Sequence, residues 1–593
     1  MCGIFGYVGK RTDAAEIVFD GLKTLEYRGY DSWGIAAKVE DGKLKVEKHV
    51  GKIAGNEKAF QLATSDSQLA LGHTRWATHG GVTVANAHPH LDCQKHIAVV
   101  HNGIIENFQE LKKKLIQQGH IFHSQTDTEV LPHLIEEEMK NKKGFATAVR
   151  DTFNQLQGMN AIVVAYAPSK EIVAAKNGSP LVVGIGKDEL FIASDAAGIS
   201  EYTKDVIFLA DNQMVILGDQ IKLLELPKGN EIKPEITRLS WHFENSDKGK
   251  YPHFILKEIH EQPKVIENIA LTYHDEAKKL AALIDKAFGT FMLGCGTASY
   301  AALAGTYLFS SITKKHINFT IGSEFKYLED YVKKGTLVIP ISQSGETIDV
   351  VDPVEKAKQK GATIAAIVNV LGSTLYRQAD YKFLLGAGQE KAVVATKSFM
   401  SMFSLLFLTA YTIVKQTDIA KRELLNASAS IKDILKDSYQ EQIKKLAQEI
   451  KNREHIFILG RGLSYATAME GTLKIKETSY VHAEGFAGGE LKHGVIALIE
   501  KGTPCIIFAP NDETYEEIIS NAQEVKARGG FIIGIGPKNN DVFDRFLPTA
   551  DCQEATLLPQ IAIAQLLAYY LALARGIKDP DKPRNLAKSV TVK

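Results

Sequence analysis

Paired cysteines are missing from this chain. Its five cysteines, Cys2, Cys93, Cys295, Cys505 and Cys552, are spread over 593 residues, and none falls in a C-x-x-C pair. Zinc-ribbon and dithiol-redox readings therefore have no support, and no metal and no cofactor are expected. An odd, sparse cysteine set suits a reducing compartment, so a cytoplasmic location is expected. Net charge is missing too: 70 lysines and arginines face 70 aspartates and glutamates, with no basic run. Neither nucleic acid nor an anionic membrane surface is thus expected as a partner. The opening MCGIFGYVGKRTD lacks the charged and apolar regions of a secretion signal. One stretch, ATLLPQIAIAQLLAYYLALA (555–574), has no formal charge and the length of a membrane span. Pro559, Gln560 and Gln565 interrupt it, and it reads as a buried helix.

Apolar residues make up 45% and charged ones 24%, an ordinary globular balance in a chain too long for one core. Residues 1 to 215 read as short alternating strands such as IAVVHNGII, AIVVAYAP and MVILGD, with helices such as Ala14–Leu25 between them, an α+β layer pattern. The charged, irregular 218–260 reads as a linker. Beyond it, strands alternate with long helical patterns, the mark of βαβ units and parallel sheets. This half also repeats itself. FMLGCGTASYAALAG (291–305) aligns with FILGRGLSYATAMEG (457–471), GTLVIPISQSGET (335–347) with GTPCIIFAPNDET (502–514), and KQKGATIAAI (358–367) with KARGGFIIGI (526–535). Each copy closes on an uncharged helix, 398–414 and 560–574, fit for a core or a subunit interface.

Cys2 is a candidate nucleophile. Once Met1 is removed, its thiol and a free α-amine share one residue, and the amine can act as the thiol's general base. Taken alone, Cys2 reads as an inert buried thiol before it reads as a nucleophile; its neighbours in sequence change that. GHTRWATHG (72–80) gathers Arg75, Trp76 and His79 after an apolar strand. HNGIIEN (101–107) sets Asn102 and Gly103 at a strand end, where a side-chain amide and a glycine N–H suit an oxyanion hole. SQTDTEV (124–130) offers Asp127, either a helix cap or a partner for an α-ammonium, while Arg75 suits an α-carboxylate.

In the second half, ISQSGETIDVV (341–351) places Ser342, Gln343, Ser344 and Thr347 between a strand and a helix N-terminus, a setting for an anion. No lysine accompanies them, so this is not a nucleotide P-loop. The other copy reads APNDET, without the hydroxyls, so only the first can hold phosphate well. The turn LGCGTAS (293–299) brings Thr297 toward the same place. Glu470, Lys474 and Glu477 share one face of a helix. Alone, such a face reads as a solvated salt-bridge ladder; behind the Gly460-x-Gly462 turn it lies at the ligand edge of an α/β sheet and can move protons between sugar carbons. His493 in GELKHGV is a candidate for ring opening. Lys588, in the apolar terminal run PRNLAKSVTVK, is a candidate for an imine with a ketose.

MCGIFGYVG, LEYRGYDSWGIA, GHTRWATHG, NAHPH, VVHNGIIEN and SQTDTEV, in this order, resemble the class-II glutamine amidotransferases. Residues 245–593 resemble the duplicated sugar-isomerase (SIS) domains of the glutamine-dependent sugar-phosphate aminotransferases. The resemblance implies an α+β N-terminal-nucleophile glutaminase domain (2–217), a linker (218–260), two α/β SIS domains with parallel sheets (261–425 and 426–580), and a tail (581–593) over the sugar site. It implies transfer of the amide nitrogen of L-glutamine to D-fructose-6-phosphate, giving D-glucosamine-6-phosphate. In that reading Cys2 is the nucleophile, Asn102 and Gly103 are oxyanion donors, and Arg75 and Asp127 grip glutamine beside Trp76 and His79, with Trp76 gating an ammonia channel. Thr297, Ser342, Gln343, Ser344 and Thr347 bind phosphate. His493 opens the ring from the neighbouring subunit of a homodimer formed through the SIS domains. Glu477 shuttles a proton between C1 and C2 near Lys474 and Glu470, and Lys588 forms the imine. Ala298 and Ala395 stand where many members have serine, which bears on sugar affinity. Amination of another ketose phosphate and a non-catalytic sugar-phosphate sensor are the competing readings.

Overall fold

The computed structural model describes residues 2–38, 42–62, 67–77, 79–141, 143–239 and 248–590. The chain forms two compact units, one of residues 1–245 together with 587–593, the other of 246–586.

The first unit stacks an eight-stranded sheet on a seven-stranded one, with antiparallel pairing in both. Alternation along the strands explains the stacking, since one face of each points into a shared layer. Ile4, Val8 and Leu71 of one sheet meet Val100, Val163 and Val215 of the other there. The outer faces carry helices. Helix Ala14–Leu25 covers the first sheet through Val18 and Leu22, and helices Val130–Lys140 and Phe145–Phe153 cover the second through Leu131, Leu134 and Val149. The α+β expectation holds.

The segment expected as a linker differs. Within 218–260 the chain adds strands Ile221–Glu225, Asn230–Ile232 and Thr237–Arg238 to the two sheets. They lie at or beside sheet edges, where charge and turn residues are ordinary, so their polarity disguised them. Helix Phe254–Thr272 also starts before residue 260.

The second unit holds two five-stranded parallel sheets. The first runs in the order Asn318–Ile321, Gly289–Gly294, Thr336–Ser342, Thr363–Val368, Tyr381–Leu384. The second runs His482–Ala487, His455–Gly460, Pro504–Phe508, Phe531–Gly536, Arg545–Pro548. Both follow the doubly-wound order 2-1-3-4-5, in which ligands sit beyond the carboxyl ends of strands 1 and 3. The repeat thus extends from sequence to topology. Its turns match as well: Gly296 and Gly462 precede the first helix of each copy at φ +55° and +52°, a left-handed conformation that favours glycine. The expected boundary at 425/426 falls inside helix Thr417–Ile434, and the break comes at Leu435–Lys436 before helix Asp437–Ile450.

Helix Leu557–Ala574, the uncharged stretch, is long and apolar enough to cross a membrane, yet 89% of its most apolar window is buried inside the protein. Ile561, Ile563, Leu566 and Leu567 enter the cores of the second unit. A helix hydrophobic all round belongs in such a core.

Past this helix, Asp581 accepts the N–H groups of Phe254 and Ile255, both at 2.8 Å. A carboxylate thus caps the N-terminus of a helix over 300 positions away in sequence, complementing its dipole. The Asp581 carbonyl also accepts Val393 N–H at 2.8 Å. Asp581→Ala is expected to cost about 1–3 kcal/mol of local stability, through two buried donors left unmade. Faster hydrogen exchange at Phe254 and Ile255, with distant strands unchanged, is the measurement that checks it.

Candidate functional site

Register places the candidate nucleophile. Strand Gly3–Gly9 pairs Gly3 with Thr74 of strand Leu69–Arg75, so Cys2 lies beside the chain leaving Arg75. Trp76 N–H donates to Cys2 Sγ at 3.1 Å, and the thiol points back to the Trp76 carbonyl at 3.6 Å. Burial pushes the Cys2 thiol above its ordinary value, with Trp76 and Arg75 pulling the other way. At neutral pH it needs a base to become a nucleophile.

Asn102 and Gly103 end strand Ile97–Gly103. Asn102 Nδ2 donates to the Cys2 carbonyl at 2.9 Å, and His73 Nε2 meets Asn102 Oδ1 at 3.1 Å. This pairing fixes the amide with its NH2 on the cysteine side, and one of its two hydrogens remains for a ligand. Gly103 sits at φ +140°, and a Cβ there would come within 2.3 Å of the Met159 carbonyl; only glycine fits. Asp127 accepts Ile105 N–H at 2.8 Å. Cys2, Arg75, Trp76, His79, Asn102, Gly103 and Asp127 all line one pocket, so every residue expected at the glutamine site comes together. Arg75 donates to the carbonyls of His79, Gly80 and Gly81, shaping the loop around the pocket as well as facing it.

The sequence reading missed a polar network behind these residues. His101 bridges Thr128 Oγ1 and Asn160 Oδ1, both at 2.9 Å, while His88 meets the same Thr128 hydroxyl at 2.9 Å and His90 meets Thr126 Oγ1 at 3.0 Å. His88, His101, Thr126 and Thr128 join the pocket wall. Two histidines in NAHPH (86–90) were the available signal, since alternate positions of an extended segment share a face.

The tail also departs from expectation. From Ala587 to Val590 it groups with the first unit, where Ala587, Ser589 and Val590 line the Cys2 pocket. Small and apolar residues cover the pocket there, and Lys588 lies among them rather than in the unit that carries Glu477.

In the second unit, helix Leu463–Ser479 carries Glu470, Lys474 and Glu477. This face is no solvated ladder: Glu470 is fully buried and Lys474 only 1% exposed. Lys474 Nζ lies 2.7 Å from Glu477 Oε2 and 3.5 Å from Glu470 Oε1, and donates to Thr297 Oγ1 at 2.8 Å and the Ala395 carbonyl at 3.1 Å. Thr297 in turn donates to Glu470 at 3.3 Å. Burial pushes the Glu470 carboxyl up to about 8. Burial pulls the Lys474 ammonium down, but the Glu470 and Glu477 carboxylates outweigh it and hold Lys474 above its usual value. Of the two acids, Glu477 is the closer to Lys474 and the more exposed. Thr297, expected on phosphate, has its hydroxyl committed to this cluster.

The hydroxyl loop begins at the carboxyl end of strand Thr336–Ser342. Ser342 Oγ accepts Gly345 N–H at 2.9 Å and faces Thr347 Oγ1 at 3.4 Å, and Ser344 Oγ accepts Glu346 N–H at 3.2 Å. Gln343 belongs to the same loop, which leads into helix Ile348–Gln359. In the other copy Asn511 donates to Asp551 at 2.6 Å, and Asp512 accepts both the N–H and the hydroxyl of Thr514. That loop satisfies itself with a carboxylate. His493 ends the short helix Gly488–His493 in an exposed position, and the chain brings no other site residue to it among the described residues.

His73, His88, His90 and His101 are all held below the ordinary histidine value by burial, His73 at about 3. The fold binds them neutral. Their stability contribution is therefore complete above about pH 6.5 and is lost as pH falls from there toward each depressed value. All three tryptophans, Trp33, Trp76 and Trp241, lie in the first 245 residues, so tryptophan fluorescence reports this unit alone. Its thermal midpoint is expected to fall steadily from pH 6.5 to 4.5, less steeply in His88→Gln; a flat profile would contradict the neutral assignment.

Comparison with known proteins agrees with this geometry. A glutamine amidotransferase domain model matches residues 73–201, and an SIS domain model matches 282–411 and again 449–573. The chain is 43% identical to the glutamine–fructose-6-phosphate aminotransferase (isomerizing) of Pyrococcus horikoshii, and 41% identical to that of Clostridium tetani, over the full length of each. The C-terminal domain of glucosamine-fructose-6-phosphate aminotransferase from Francisella tularensis superposes with a TM-score of 0.52 at 33% identity, covering 56% of this chain and 99% of that one. The chain belongs to the glutamine–fructose-6-phosphate aminotransferase (isomerizing) family.

Proposed function

We infer that this chain transfers the amide nitrogen of L-glutamine to D-fructose-6-phosphate and isomerises the product to D-glucosamine-6-phosphate, releasing L-glutamate. One observation carries the reading: a thiol pocket built for an acyl intermediate and a buried acid–lysine–acid cluster beside a hydroxyl loop occur in one chain.

In the first unit, Cys2 Sγ attacks the glutamine amide carbon and its proton passes to the α-amine freed by removal of Met1. Charge develops on the amide oxygen, where Asn102 Nδ2–H and Gly103 N–H stabilise it. Arg75 takes the α-carboxylate and Asp127 the α-ammonium. Ammonia leaves, and water hydrolyses the thioester to glutamate. In the second unit, Ser342, Gln343, Ser344 and Thr347 take the sugar phosphate at a helix N-terminus. His493 opens the ring, and Lys588, carried on the tail that groups with the first unit, forms an imine with the C2 ketone that ammonia then displaces. Glu477 carries the proton from C1 to C2. Glu477 suits this better than Glu470 because it remains partly open, whereas burial keeps Glu470 near neutrality. The exposed His493, on a segment where Leu498 is 59% exposed, supports a homodimer in which each histidine serves the neighbouring subunit. Five unpaired cysteines support residence in the cytoplasm.

Amide-15N glutamine incubated with fructose-6-phosphate is expected to give labelled glucosamine-6-phosphate by mass spectrometry. Cys2→Ala is expected to abolish that label while isomerisation of fructose-6-phosphate persists; loss of both from a folded variant contradicts separate sites.

The copies are expected to differ under mutation. Ser344→Ala removes a hydrogen bond to a charged oxygen, worth about 1.5–3 kcal/mol, and is expected to raise the sugar-phosphate KM roughly ten- to a hundred-fold. Asn511→Ala, in the self-satisfied loop, is expected to leave KM unchanged. Equal effects rule out a single phosphate cradle.

A further inference from the structure

On the second sheet of the first unit, four side chains that the glutaminase chemistry does not use converge on one point. Cys93 lies in the turn between strands His90–Leu91 and Ile97–Gly103. His120 opens the long connection after helix Phe108–Gln117, and His133 and Glu136 stand at i and i+3 on helix Val130–Lys140. One ligand atom from each, Cys93 Sγ, the two imidazole Nδ1 atoms and a Glu136 oxygen, lies within 4.8 Å of all the others.

The individual separations are informative. Cys93 Sγ is 3.5 Å from His120 Nδ1 and 3.6 Å from His133 Nδ1. The two Nδ1 atoms are 3.2 Å apart, and Glu136 Oε2 is 3.4 Å from one and 3.8 Å from the other. A tetrahedral zinc centre has metal–nitrogen bonds of about 2.0–2.1 Å and a metal–sulfur bond of about 2.3 Å, so its edges are about 3.4 Å between nitrogens and about 3.6 Å between sulfur and nitrogen. Five separations of 3.2–3.8 Å match the edges of such a tetrahedron, and the sixth, sulfur to carboxylate, is within 4.8 Å. Cys93 N–H also donates to Glu136 Oε2, at 3.3 Å.

The surroundings suit a cation. His120 Nε2 lies 2.7 Å from Glu137 Oε1, the arrangement that fixes a ligating histidine with its proton on the far nitrogen. His120 and His133 are buried, whereas Cys93 is exposed, which gives an ion an entry path. Thiolate and carboxylate together balance a divalent charge, so the filled site is neutral.

We propose that Cys93, His120, His133 and Glu136 form a structural Zn2+ site that ties a β-turn, a loop and a helix of the glutaminase unit together. Binding replaces the Cys93 thiol proton, which leaves to solvent, with a zinc–sulfur bond; both imidazoles bind neutral through Nδ1. The loop from His120 to Glu129 carries Thr126, Asp127 and Thr128 of the Cys2 pocket, so the ion secures the pocket wall from behind without touching substrate. The sequence expectation of no metal rested on the want of C-x-x-C pairs. These ligands come from three segments, and only His133 and Glu136 share an element.

The test uses the full-length chain carrying Cys2→Ala, so that the nucleophile's thiol cannot bind metal. Protein purified with zinc present and dialysed against metal-free buffer is expected to retain about one zinc per chain by mass spectrometry of the metal. Adding Cys93→Ser and His133→Ala together is expected to remove it. A strong chelator should lower the fluorescence-detected thermal midpoint of the parent and leave that of the variant unchanged. Cobalt added to metal-free parent protein should give a thiolate charge-transfer band with the intense visible absorption of tetrahedral coordination, which decides the matter even if the variant fails to fold. No retained zinc, undiminished zinc in the variant, or only weak octahedral cobalt absorption would each overturn the proposal.

Discussion

The second unit turns on one buried ammonium. Lys474 belongs to the second SIS copy, yet two of its hydrogen bonds go to Thr297 and the Ala395 carbonyl of the first. Removing such a group from water costs several kcal/mol unless the charge and every donor are matched. Here a lysine has three donors, and Glu477, Thr297 and Ala395 supply acceptors at 2.7–3.1 Å. The match requires both copies in register, since a shift between them leaves two of the three buried donors without acceptors. The duplicated domains are thus held by a polar condition as well as by the apolar packing of helices Lys397–Ile413 and Leu557–Ala574.

That condition also divides labour between the copies. The first contributes hydroxyls at its third-strand loop and the second contributes the acid–lysine–acid face. Each copy has lost the other's feature: APNDET carries a carboxylate where phosphate would sit, and the helix Thr297–Leu308 has no ionisable acid or lysine. Two identical copies would make two half-sites of equal chemistry. The diverged copies differ in chemistry, with hydroxyls in one and an acid–lysine–acid face in the other.

What could be read from sequence followed the locality of each signal. Cys2, Arg75, Trp76, His79, Asn102 and Gly103 sit in short motifs at strand ends, where strand register delivers them to one pocket, and Asp127 joins them from a short motif before a helix. The repeat was legible because Gly296 and Gly462 impose the same turn. The edge strands from Ile221 to Arg238 were not, since charged edge residues resemble a linker. The histidines behind the pocket and the converging ligands at Cys93 were hidden for a common reason. Each depends on side chains from several segments meeting, and no spacing along the chain records that. The burial of Lys474 was hidden differently, because period and charge alone describe an exposed face and a buried triad identically.

The two units reach reactivity by opposite uses of burial. Around Cys2, burial disfavours the thiolate and keeps four histidines neutral. Of the permanent charges near the thiol, Arg75 favours the thiolate and Asp31 opposes it, and burial outweighs both. Around Lys474 burial retains a charge: the ammonium persists because two acids face it, and one of those acids is driven toward its neutral form. Burial drives Glu470 toward its neutral form, and Glu477 is the acid of the two that keeps solvent access. The proton transfer proposed for Glu477 needs such access. Position on the helix supplies the geometry, and unequal burial of the two glutamates supplies the difference in role.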